Sequence, residues 1–517
     1  MRLPSVPLSL AGLASATASL PLALAALSAP PQEYVNTAIA RTIELGGLTT
    51  QVTTQYNIKA LSDVGVNVAD SGAGRKGNGA RAGEYWLALA EEDGLEPAYW
   101  EVSIGGKKVE GVRLLDESPP TAAVPLGKMK KDDVITLSLT HVLTHTSSPL
   151  PAEIEQKDQQ YLQWNSNSTY VDSWYETDVE RVKIRAPHPS ILSYATVPDT
   201  YTRDNTITKS GGTLTLGPFH SVPRTLGLDS KVAQQSFSVH YETKDPVVGV
   251  KKLRRAAEVS HWGANLNIQD EIELVNMGPK LKGHFSRLTH QQSRFHGSYP
   301  AQILRELTIK LPATAHSPYY YDTIGNVSTS HFRPGSVPAQ KAKSSKVRTS
   351  PRVVDGNLEL RPRYPLLGGW NYSFTVGWDT PLQDVLKVDA KDGKKVLAVP
   401  FLTGLSDVVV DDAEVKIILP EGASAVQIYT PFPVDSIEHS IHKTYLDTTG
   451  RHAITLKKAR CTSRHDQDVY VTYHYPLSAQ LQKPIAVGSL VASLFILGMA
   501  LRRVNYSIDK KQTIVVE

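Results

Sequence analysis

Two short motifs in this 517-residue chain have the form of a chemical site. Asp466-Gln467-Asp468 is a DxD sequence, a form that places a metal ion against a sugar-nucleotide diphosphate. Gly72 to Gly77 fits GxGxxG, which needs a strand before it and a helix after it so that a pyrophosphate lies at the helix N-terminus. The first precedes a strand-like run and the second lies among other glycines, so both are predicted to be solvated loops.

The histidines are the next candidates, because zinc sites use imidazole ligands. They form two groups: His284, His290 and His296 are evenly spaced, and His141 and His145 could share one face. A zinc site needs three or four convergent ligands at short local spacing, which neither group provides. The sequence contains no HExxH, GxSxG or Walker motif, and a single cysteine excludes CxxC. We therefore predict no catalytic, cofactor-binding or metal-binding residue in this chain.

Two apolar runs determine where the chain lies. Residues 1–28 begin with a basic residue, continue with an apolar stretch and end in small residues, which predicts a cleaved signal peptide. Residues 485–501 carry no charge, follow Pro484 and precede two arginines, which predicts a single transmembrane helix over 484–503. Residues 504–517 are then a short cytoplasmic tail, and the mature part before the helix is luminal or extracellular.

The length of the second run indicates which membrane it crosses. At about 1.5 Å per residue its apolar core spans roughly 26 Å, which suits the thin endoplasmic reticulum bilayer better than the plasma membrane. A helix buried in a soluble core is the alternative for a run this short. The formal net charge of +4 gives no indication of nucleic-acid binding. Cys461 is the only cysteine, so it is either a buried thiol or a partner for another chain.

Between the two runs, apolar and polar residues alternate, as in 135–139, 307–311 and 469–475. Such alternation predicts half-buried strands. Helical patterns are scarce, and 159–164 and 382–388 are weak candidates. The fold class is therefore predicted to be mainly β, with tandem luminal β-sandwich-like domains followed by a single C-terminal transmembrane helix.

The domain boundaries follow from repeated strand–proline segments. Residues 29–245 are predicted to form luminal β domain 1 and residues 246–480 luminal β domain 2, with a subdivision of the second near 380–395. Three segments share one layout, namely Val182 to Pro187, Leu307 to Pro312 and Val415 to Pro420. Aligning the first segment with the second requires an insertion in the second copy, which we place in the basic stretch around 336–352.

Some residues are candidates for modification or for packing in the membrane. Asn167, Asn326 and Asn371 begin Asn-x-Ser/Thr sequons on the luminal side and are predicted glycosylation sites, whereas the Asn505 sequon follows the span and should stay unmodified. In the span, small residues recur four positions apart and would let a neighbouring helix approach closely. They are Gly488, Ser489, Ala492 and Ser493.

Six segments, in this order, resemble the ribophorin I family: Ser260 to Gly263, Gly278 to Arg287, Ile324 to His331, Leu360 to Trp370, Val415 to Ala423 and Thr444 to Arg451. This family is the alpha subunit, or subunit 1, of the eukaryotic dolichyl-diphosphooligosaccharide–protein glycosyltransferase complex, also called oligosaccharyltransferase. The resemblance is dense from Glu258 onward and thinner before it. The basic insertion near 340–352 departs from the family pattern. The short cytosolic tail departs from animal members and resembles the fungal form.

The resemblance implies a non-catalytic subunit in the endoplasmic reticulum membrane. The complex transfers a preassembled oligosaccharide from dolichyl pyrophosphate to Asn of Asn-x-Ser/Thr in nascent proteins. The implied partners are a multi-spanning catalytic subunit and other small membrane subunits, with the nascent polypeptide as a further candidate. We expect this chain to support complex assembly and substrate presentation. Two alternatives remain open, namely a type I membrane receptor or adhesion protein with tandem β-sandwich domains, and a stand-alone luminal hydrolase or glycosyltransferase.

The family-like segments themselves allow two interpretations. In the first, Trp262, Leu281 and Phe285 pack in a sandwich core, as large apolar side chains usually do. In the second, Ser260 to Gly263 and Ile324 to His331 form a luminal surface that faces the catalytic subunit.

Overall fold

The structure is a computed structural model of the chain. It describes residues 30–64, 83–89, 97–115, 119–197, 200–202, 207–227, 230, 232–295, 299–337, 353–406, 408–445 and 447–504. Several sequence predictions lie outside the described residues, namely the signal peptide, the Gly72 to Gly77 loop, His296, the basic stretch 340–352, Asn505 and residues 505–517 of the tail.

The described part of the first unit, residues 34–242, is built of strands with alternating burial. In β2, for example, buried and partly exposed residues alternate over most of its length, because successive side chains point to opposite faces of a sheet. The strands are β1 (Tyr34–Leu45), β2 (Thr49–Ala60), β3 (Glu84–Ala88), β4 (Tyr99–Ile104), β5 (Lys107–Lys108), β6 (Arg113–Leu115), β7 (Thr121–Pro125), β8 (Val134–Thr144), β9 (Ser147–Pro149), β10 (Glu153–Ile154), β11 (Tyr161–Ser166), β12 (Thr177–Arg185), β13 (Ile191–Tyr194), β14 (Ile207–Ser210), β15 (Thr213–Val222) and β16 (Phe237–Glu242).

The second unit, residues 248–474, is also mainly β, and one long helix comes after it. Its elements are β17 (Val248–Ser260), β18 (Asn265–Asn276), β19 (Lys280–Leu281), α1 (Arg287–Phe295), β20 (Leu307–Leu311), β21 (His316–Asp322), β22 (Gly325–Asn326), β23 (Ser330–Arg333), β24 (Gly356–Leu360), β25 (Asn371–Pro381), α2 (Leu382–Val385), β26 (Leu386–Val388), β27 (Lys395–Pro400), β28 (Gly404–Leu405), β29 (Val409–Ile418), β30 (Ser424–Tyr429), β31 (Ser436–His442), β32 (Arg451–Cys461), a 3₁₀ turn (Ser463–His465) and β33 (Asp468–His474). The C-terminal helix is α3 (Leu477–Arg503).

The two units have the same sheet topology. The largest sheet of the first unit has the order β14-β15-β12-β1-β2-β8-β4-β5, and that of the second has the order β31-β32-β29-β17-β18-β25-β21-β22. In each, the first strand of the unit pairs in parallel with one later strand, β1 with β12 and β17 with β29. The smaller sheets match as well, β13-β16-β11-β9 with β30-β33-β27-β26, and β3-β7-β6 with β20-β24-β23, to which β28 is added.

The predicted tandem design is therefore confirmed, but the predicted alignment of the copies was wrong. Pro187 follows β12, and its counterpart is Pro420 after β29, not Pro312 after β20. Strand β20 takes the place of β3 instead. The three segments looked alike because each is an alternating strand that ends at a proline, and that local pattern carries no information about which strands are neighbours.

Other local predictions had mixed outcomes. Residues 382–385 form helix α2 as expected, whereas most of 159–164 lies in strand β11, where Leu162 and Trp164 alternate with outward-facing residues. Cys461 ends β32 fully buried, and burial raises the pKa of its thiol to about 12. The described structure thus agrees with the buried-thiol alternative.

Each unit has its own apolar core, and the two units touch. One cluster of buried side chains runs from Tyr34 to Val247 and takes in Val409 of the second unit, and the other runs from Val248 to Tyr475. The strand β10 of the first unit pairs in parallel with β19 of the second. These contacts connect the units by backbone hydrogen bonds as well as by packing.

Each unit also buries one arginine at the same place in its main sheet. Arg41 on β1 lies beside Val182 on β12, and Arg255 on β17 lies beside Val415 on β29. Val182 and Val415 begin the two strand–proline segments that are true counterparts. The two arginines are 3% and 2% exposed, so each needs its hydrogen bonds from within the protein.

In the second unit this requirement is met in full. Asp270, opposite Arg255 on β18, accepts hydrogen bonds of 2.7 Å from Nε and from Nη2. The remaining donors reach the carbonyl oxygens of Pro400 and Leu402 and the hydroxyl of Thr403. All five guanidinium N–H groups are bonded, and the Arg255–Asp270 pair is fully buried.

In the first unit the residue opposite Arg41 is Thr54, and the acidic side chains nearby are Asp172 and, on β12, Glu180. Its Oε1 accepts a hydrogen bond of 2.7 Å from Val171 N, and burial raises the pKa of Glu180 to about 8. His141 is buried beside Arg41, and neither ring nitrogen has a hydrogen-bond partner among the described residues. Burial lowers the pKa of His141 to about 3. Near neutral pH Glu180 is therefore protonated and His141 is neutral.

Candidate functional site at the membrane junction

The helix α3 begins at Leu477, ahead of the start predicted at 484, so Pro484 lies within it. A proline has no N–H, and the carbonyl of Gln480, four residues earlier, therefore loses its helical partner. The indole Nε1 of Trp262 donates a hydrogen bond of 3.0 Å to this oxygen. A side chain of the second unit thus satisfies the backbone group that the proline leaves unpaired.

Trp262 lies in the turn between β17 and β18 and is 65% exposed, so the interpretation as a core residue was wrong for it. The turn extends beyond the paired strands, and the ring therefore meets α3 and not an opposing sheet. A hydrogen bond of 2.9 Å from Gly263 N to Ser260 Oγ closes the turn. Leu281 and Phe285 are half-buried, and Phe285 packs edge-on against Trp370.

His261, next to this tryptophan, faces the end of the last strand. Its Nε2 lies 2.9 Å from the hydroxyl of Tyr473, and its ring stacks on Tyr475 with a centroid separation of 4.6 Å. Burial, helped by the nearby Lys395, lowers the pKa of His261 to about 4. The imidazole is therefore neutral near pH 7 and serves as a packing and hydrogen-bonding group.

The loop between β31 and β32 brings Asp447 against the same helix. Lys483 Nζ on α3 lies 2.6 Å from Oδ1 of Asp447, and Arg451 Nε lies 3.2 Å from Oδ2. Thr444 adds hydrogen bonds from its backbone N and its hydroxyl. Burial alone would raise the pKa of Asp447, but the hydrogen bonds from Lys483 and Thr444 bring it well below its ordinary value. Arg451 also pairs with Glu258 on β17, so the loop, the strand and the helix are joined by charge.

Glu421, just after β29, is the second buried carboxylate of the junction. Its Oε1 accepts hydrogen bonds from the backbone N and hydroxyl of both Thr448 and Thr449 and from Gly450 N. Burial raises the pKa of Glu421, but the hydrogen bonds from Thr449 and Thr448 outweigh it and the pKa is lowered. Its Oε2 lies 4.0 Å from Lys483 Nζ, which is beyond hydrogen-bond distance, and has no hydrogen-bond partner among the described residues.

A cavity of about 440 Å³, which we call the junction groove, lies between the β17–β18 turn and α3. Its lining includes Trp262, Glu421, Tyr475, Lys483, Pro484 and Val487. Three of the family-like segments meet here, namely Ser260 to Gly263, Val415 to Ala423 and Thr444 to Arg451. Their convergence was not predicted, because they lie far apart in the sequence. A usable signal was the proline inside a helical run, which calls for an outside hydrogen-bond donor.

The described residues offer no metal site, since no group of three or more His, Cys, Asp or Glu side chains in them could hold an ion. Asp466 and Gln467 are exposed and lead into β33, whose first residue is Asp468. The histidines lie apart, because His141 is buried in the first unit, His145 contacts Asp411 of the second at 2.6 Å, and His284 is exposed. The contacts of the junction fix the second β unit to α3.

The predicted modification and packing sites are all on the surface. Asn167, Asn326 and Asn371 are exposed, the first in a connection between strands and the others in β22 and β25. The four small residues of α3 are exposed as well, and a Cβ added at Gly488 would meet no atom within 4 Å. These positions are accessible to a sugar or a neighbouring helix, and their roles stay predictions.

The fold and the junction together define a class, a single-span membrane protein in which two repeated β units are carried on one C-terminal helix. Among the described residues, α3 is the one helix long and apolar enough to cross a membrane, with a mean hydropathy of 2.2 and no residue buried. Residues 34–502 match the family model described as Ribophorin I, and the chain belongs to the ribophorin I family.

Curated relatives carry matching names. Subunit 1 of the dolichyl-diphosphooligosaccharide–protein glycosyltransferase of Caenorhabditis elegans is 31% identical over 84% of this chain and 68% of its own length. Subunit 1B of Oryza sativa subsp. japonica is 31% identical over 74% of this chain and 73% of its own. Among solved structures, yeast LTA4 hydrolase matches 43% of this chain and 31% of its own with 10% identity and a TM-score of 0.24, too low to indicate a common fold.

Proposed function

We propose that this chain is a non-catalytic subunit of the oligosaccharyltransferase complex of the endoplasmic reticulum membrane. It is anchored by α3, its two β units lie in the lumen, and it holds them beside the multi-spanning catalytic subunit. The match to the ribophorin I family over residues 34–502 carries the proposal. The names of the relatives support it, since they are subunits of the enzyme that attaches oligosaccharide from a dolichyl diphosphate to protein.

The chemistry of the junction supports an accessory role. Asp447 and Glu421 hold hydrogen bonds from Lys483, Thr444, Thr448 and Thr449, and the bonds keep both carboxylates ionised and engaged. Groups fixed in this way orient a domain and do not exchange protons with a substrate. The transfer reaction is then carried out by the catalytic partner subunit. This chain keeps the β units at one angle to the bilayer and helps present the acceptor polypeptide.

Purification of the tagged chain in mild detergent tests the proposal. We expect a multi-spanning transferase and small membrane subunits to copurify, and the intact complex to glycosylate an Asn-x-Thr peptide. The chain purified alone, in the same detergent, should transfer no oligosaccharide. Recovery without a transferase, or transfer by the isolated chain, contradicts the accessory role. Deleting the chain should lower occupancy of many acceptor sequons, and unchanged occupancy also counts against it.

The luminal orientation has an independent test. We expect glycans on Asn167, Asn326 and Asn371, because all three are exposed on the units that would face the lumen. Each replacement by Gln should increase the electrophoretic mobility by the amount expected for the loss of one glycan. Treatment with an endoglycosidase should shift the wild-type protein to the mobility of the triple variant. Mobility unaffected by the enzyme would place these units on the other side of the membrane or leave the sequons unused.

Two further parts of the assignment concern the boundaries and the membrane contact. We place the domain division at 245/246, between β16 and β17, and keep the subdivision near 380–395 as a proposal. We also assign helix packing to Gly488 and Ala492, with Ser489 and Ser493 beside them. Replacing both Gly488 and Ala492 by Leu should weaken complex assembly without changing the proteolysis pattern of the β units. An intact complex would remove this packing role.

A further inference from the structure

The junction groove opens where the protein meets the membrane. Its lower wall is formed by Pro484 and Val487, at the start of the apolar part of α3, and its upper wall includes Glu421 and Lys483. Trp262 is 65% exposed beside it, and aromatic side chains of this kind are enriched at the level of lipid headgroups. The groove therefore extends from the hydrocarbon edge into the headgroup layer.

The first unit has a cleft at the equivalent place. It is formed by the β1–β2 turn, by Pro187 and by residues 243–248, and its volume is about 500 Å³. Leu304 and Leu307 of the second unit face this cleft. In the second unit Pro420 takes the place of Pro187, and α3 lies next to it instead of another β unit. This end of a unit therefore lies against a neighbour in both cases, and the groove left beside the membrane helix is open to lipid.

The charges of the groove favour one kind of lipid head. Glu258, Glu421, Arg451 and Lys483 line it, and the buried Asp447 bonds to both of these cations. These three carboxylates and two cations carry a net charge of −1, and Lys395, whose Nζ lies 5.3 Å from the centre of the Tyr475 ring, is a further cation beside the groove. Glu421 is 4% exposed, and its Oε2 is the acceptor with no hydrogen-bond partner among the described residues. An occupant that brings an N–H donor and a positive charge would complete the site.

We propose that the junction groove binds an ethanolamine glycerophospholipid of the surrounding bilayer. Its primary ammonium donates to Glu421 Oε2, its phosphate lies toward Lys483, and its acyl chains run along Pro484 and Val487. A choline head has the same charge and phosphate but no N–H, so it cannot donate this hydrogen bond. An acidic head brings a further negative charge beside the carboxylate of Glu421.

The test uses the full chain in nanodiscs of phosphatidylcholine that contain a small fraction of a photoreactive lipid. The probe is phosphatidylethanolamine with a diazirine on one acyl chain, and its matched control is phosphatidylcholine with the same chain. We expect the ethanolamine probe to label α3 near Val487 about tenfold more than the choline probe, since one charge-assisted hydrogen bond separates them. Equal labelling by the two probes overturns the proposal.

Three variants locate the effect. Glu421→Gln should reduce ethanolamine labelling to the choline level. Val487→Trp should abolish labelling by filling the groove, whereas Ile485→Trp, at similar depth on the opposite side of α3, should leave it unchanged. Equal loss in both tryptophan variants, or a cross-link from Val487 to another polypeptide in the intact complex, contradicts lipid binding. Because Val487→Trp leaves the Glu421 hydrogen bonds in place, it remains decisive even if Glu421→Gln disturbs the loop. The outcome does not depend on the proposed function.

Discussion

The two β units share a topology but differ in what their equivalent turns hold. In the first unit the β1–β2 turn packs on the segment that leads into the second unit: Gly46 O accepts a hydrogen bond of 2.7 Å from Tyr241, and Leu48 lies against Gly249, where a Cβ would come within 2.9 Å. In the second unit the β17–β18 turn packs on α3 through Trp262. In both units the turn between the first two strands therefore packs on the segment that leaves the unit. The residues of that contact determine how strongly the segment is held.

The strength with which the departing segment is held differs between the units, because in the second unit the contact includes ion pairs. The exit of the second unit is fixed by Asp447, Lys483 and Arg451, whereas the β1–β2 turn at the first exit makes a hydrogen bond and apolar contacts. The buried arginines also differ in their acidic neighbours: Arg255 forms an ion pair with Asp270 in the second unit, and Asp172 and a protonated Glu180 lie near Arg41 in the first.

The largest expected effect separates the two arginine sites. Asp270→Asn should destabilise the second unit by about 3 to 5 kcal/mol, because it leaves Arg255 as an uncompensated buried charge. Glu180→Gln should not destabilise the first unit near neutral pH, since the folded unit already holds a protonated carboxyl there and the amide removes the cost of keeping it protonated. Hydrogen exchange of core peptides from each unit, in the full chain, measures both. An equal loss of exchange protection in the two variants would contradict the predicted difference between the two arginine sites.

The second prediction concerns the exits. Asp447→Asn removes a charge-assisted hydrogen bond from Lys483 and one of the two ion pairs of Arg451, and should loosen the contact of α3 by about 1.5 to 3 kcal/mol. Exchange should increase in the first turns of α3 and in the β31–β32 loop, while peptides around Gly46 in the first unit stay protected. The lowered pKa of Asp447 means that this stability is present above its unfolded pKa of 3.8 and is lost as pH falls further. An unchanged α3 would show that packing alone holds the junction.

The third prediction is a pH dependence of opposite sign in the first unit. The pKa of Glu180 rises from 4.5 to about 8 on folding, so its contribution is complete below about 4.5 and is lost as pH rises to about 8. The slope is at most about 1.4 kcal/mol per pH unit. Protection of first-unit peptides should therefore fall over this range in the wild type and fall less in Glu180→Gln. Arg41, Asp172 and His141 are unchanged between the two proteins, so their contributions largely cancel in the difference.

The smallest effect is expected at the turn of the second unit. Trp262→Phe keeps an aromatic ring but removes the donor to Gln480 O, and should cost about 1 kcal/mol or less because that carbonyl is partly accessible. Exchange around Pro484 measures it, and the additional variant Pro484→Ala should suppress the effect, since the helix then provides the donor itself. If Trp262→Phe causes the same loss of exchange protection with and without Pro484→Ala, the indole N–H does not stabilise the helix.

How much of the fold and of the junction could be predicted depends on how far apart in the sequence the interacting residues lie. The strands, the span and the family were predictable because alternation, an uncharged run and ordered motifs are local signals. The pairing of Pro187 with Pro420 was not, since it depends on which strands are neighbours. Trp262 was misread for the same reason: a large apolar residue usually packs inside, and only the position of the turn relative to α3 places it outside. The convergence of Glu421, Asp447 and Lys483 requires contacts between segments distant in sequence.

The position of Lys483 on α3 also affects the order in which the protein is made. Glu421 and Asp447 leave the ribosome before Lys483, so the second unit can form its sheets while two carboxylates at its end still lack one of their cations. That cation arrives with the helix that enters the membrane. We therefore expect the contacts at the end of the second unit to form completely only after α3 has inserted into the membrane. Completion of this unit then depends on membrane insertion.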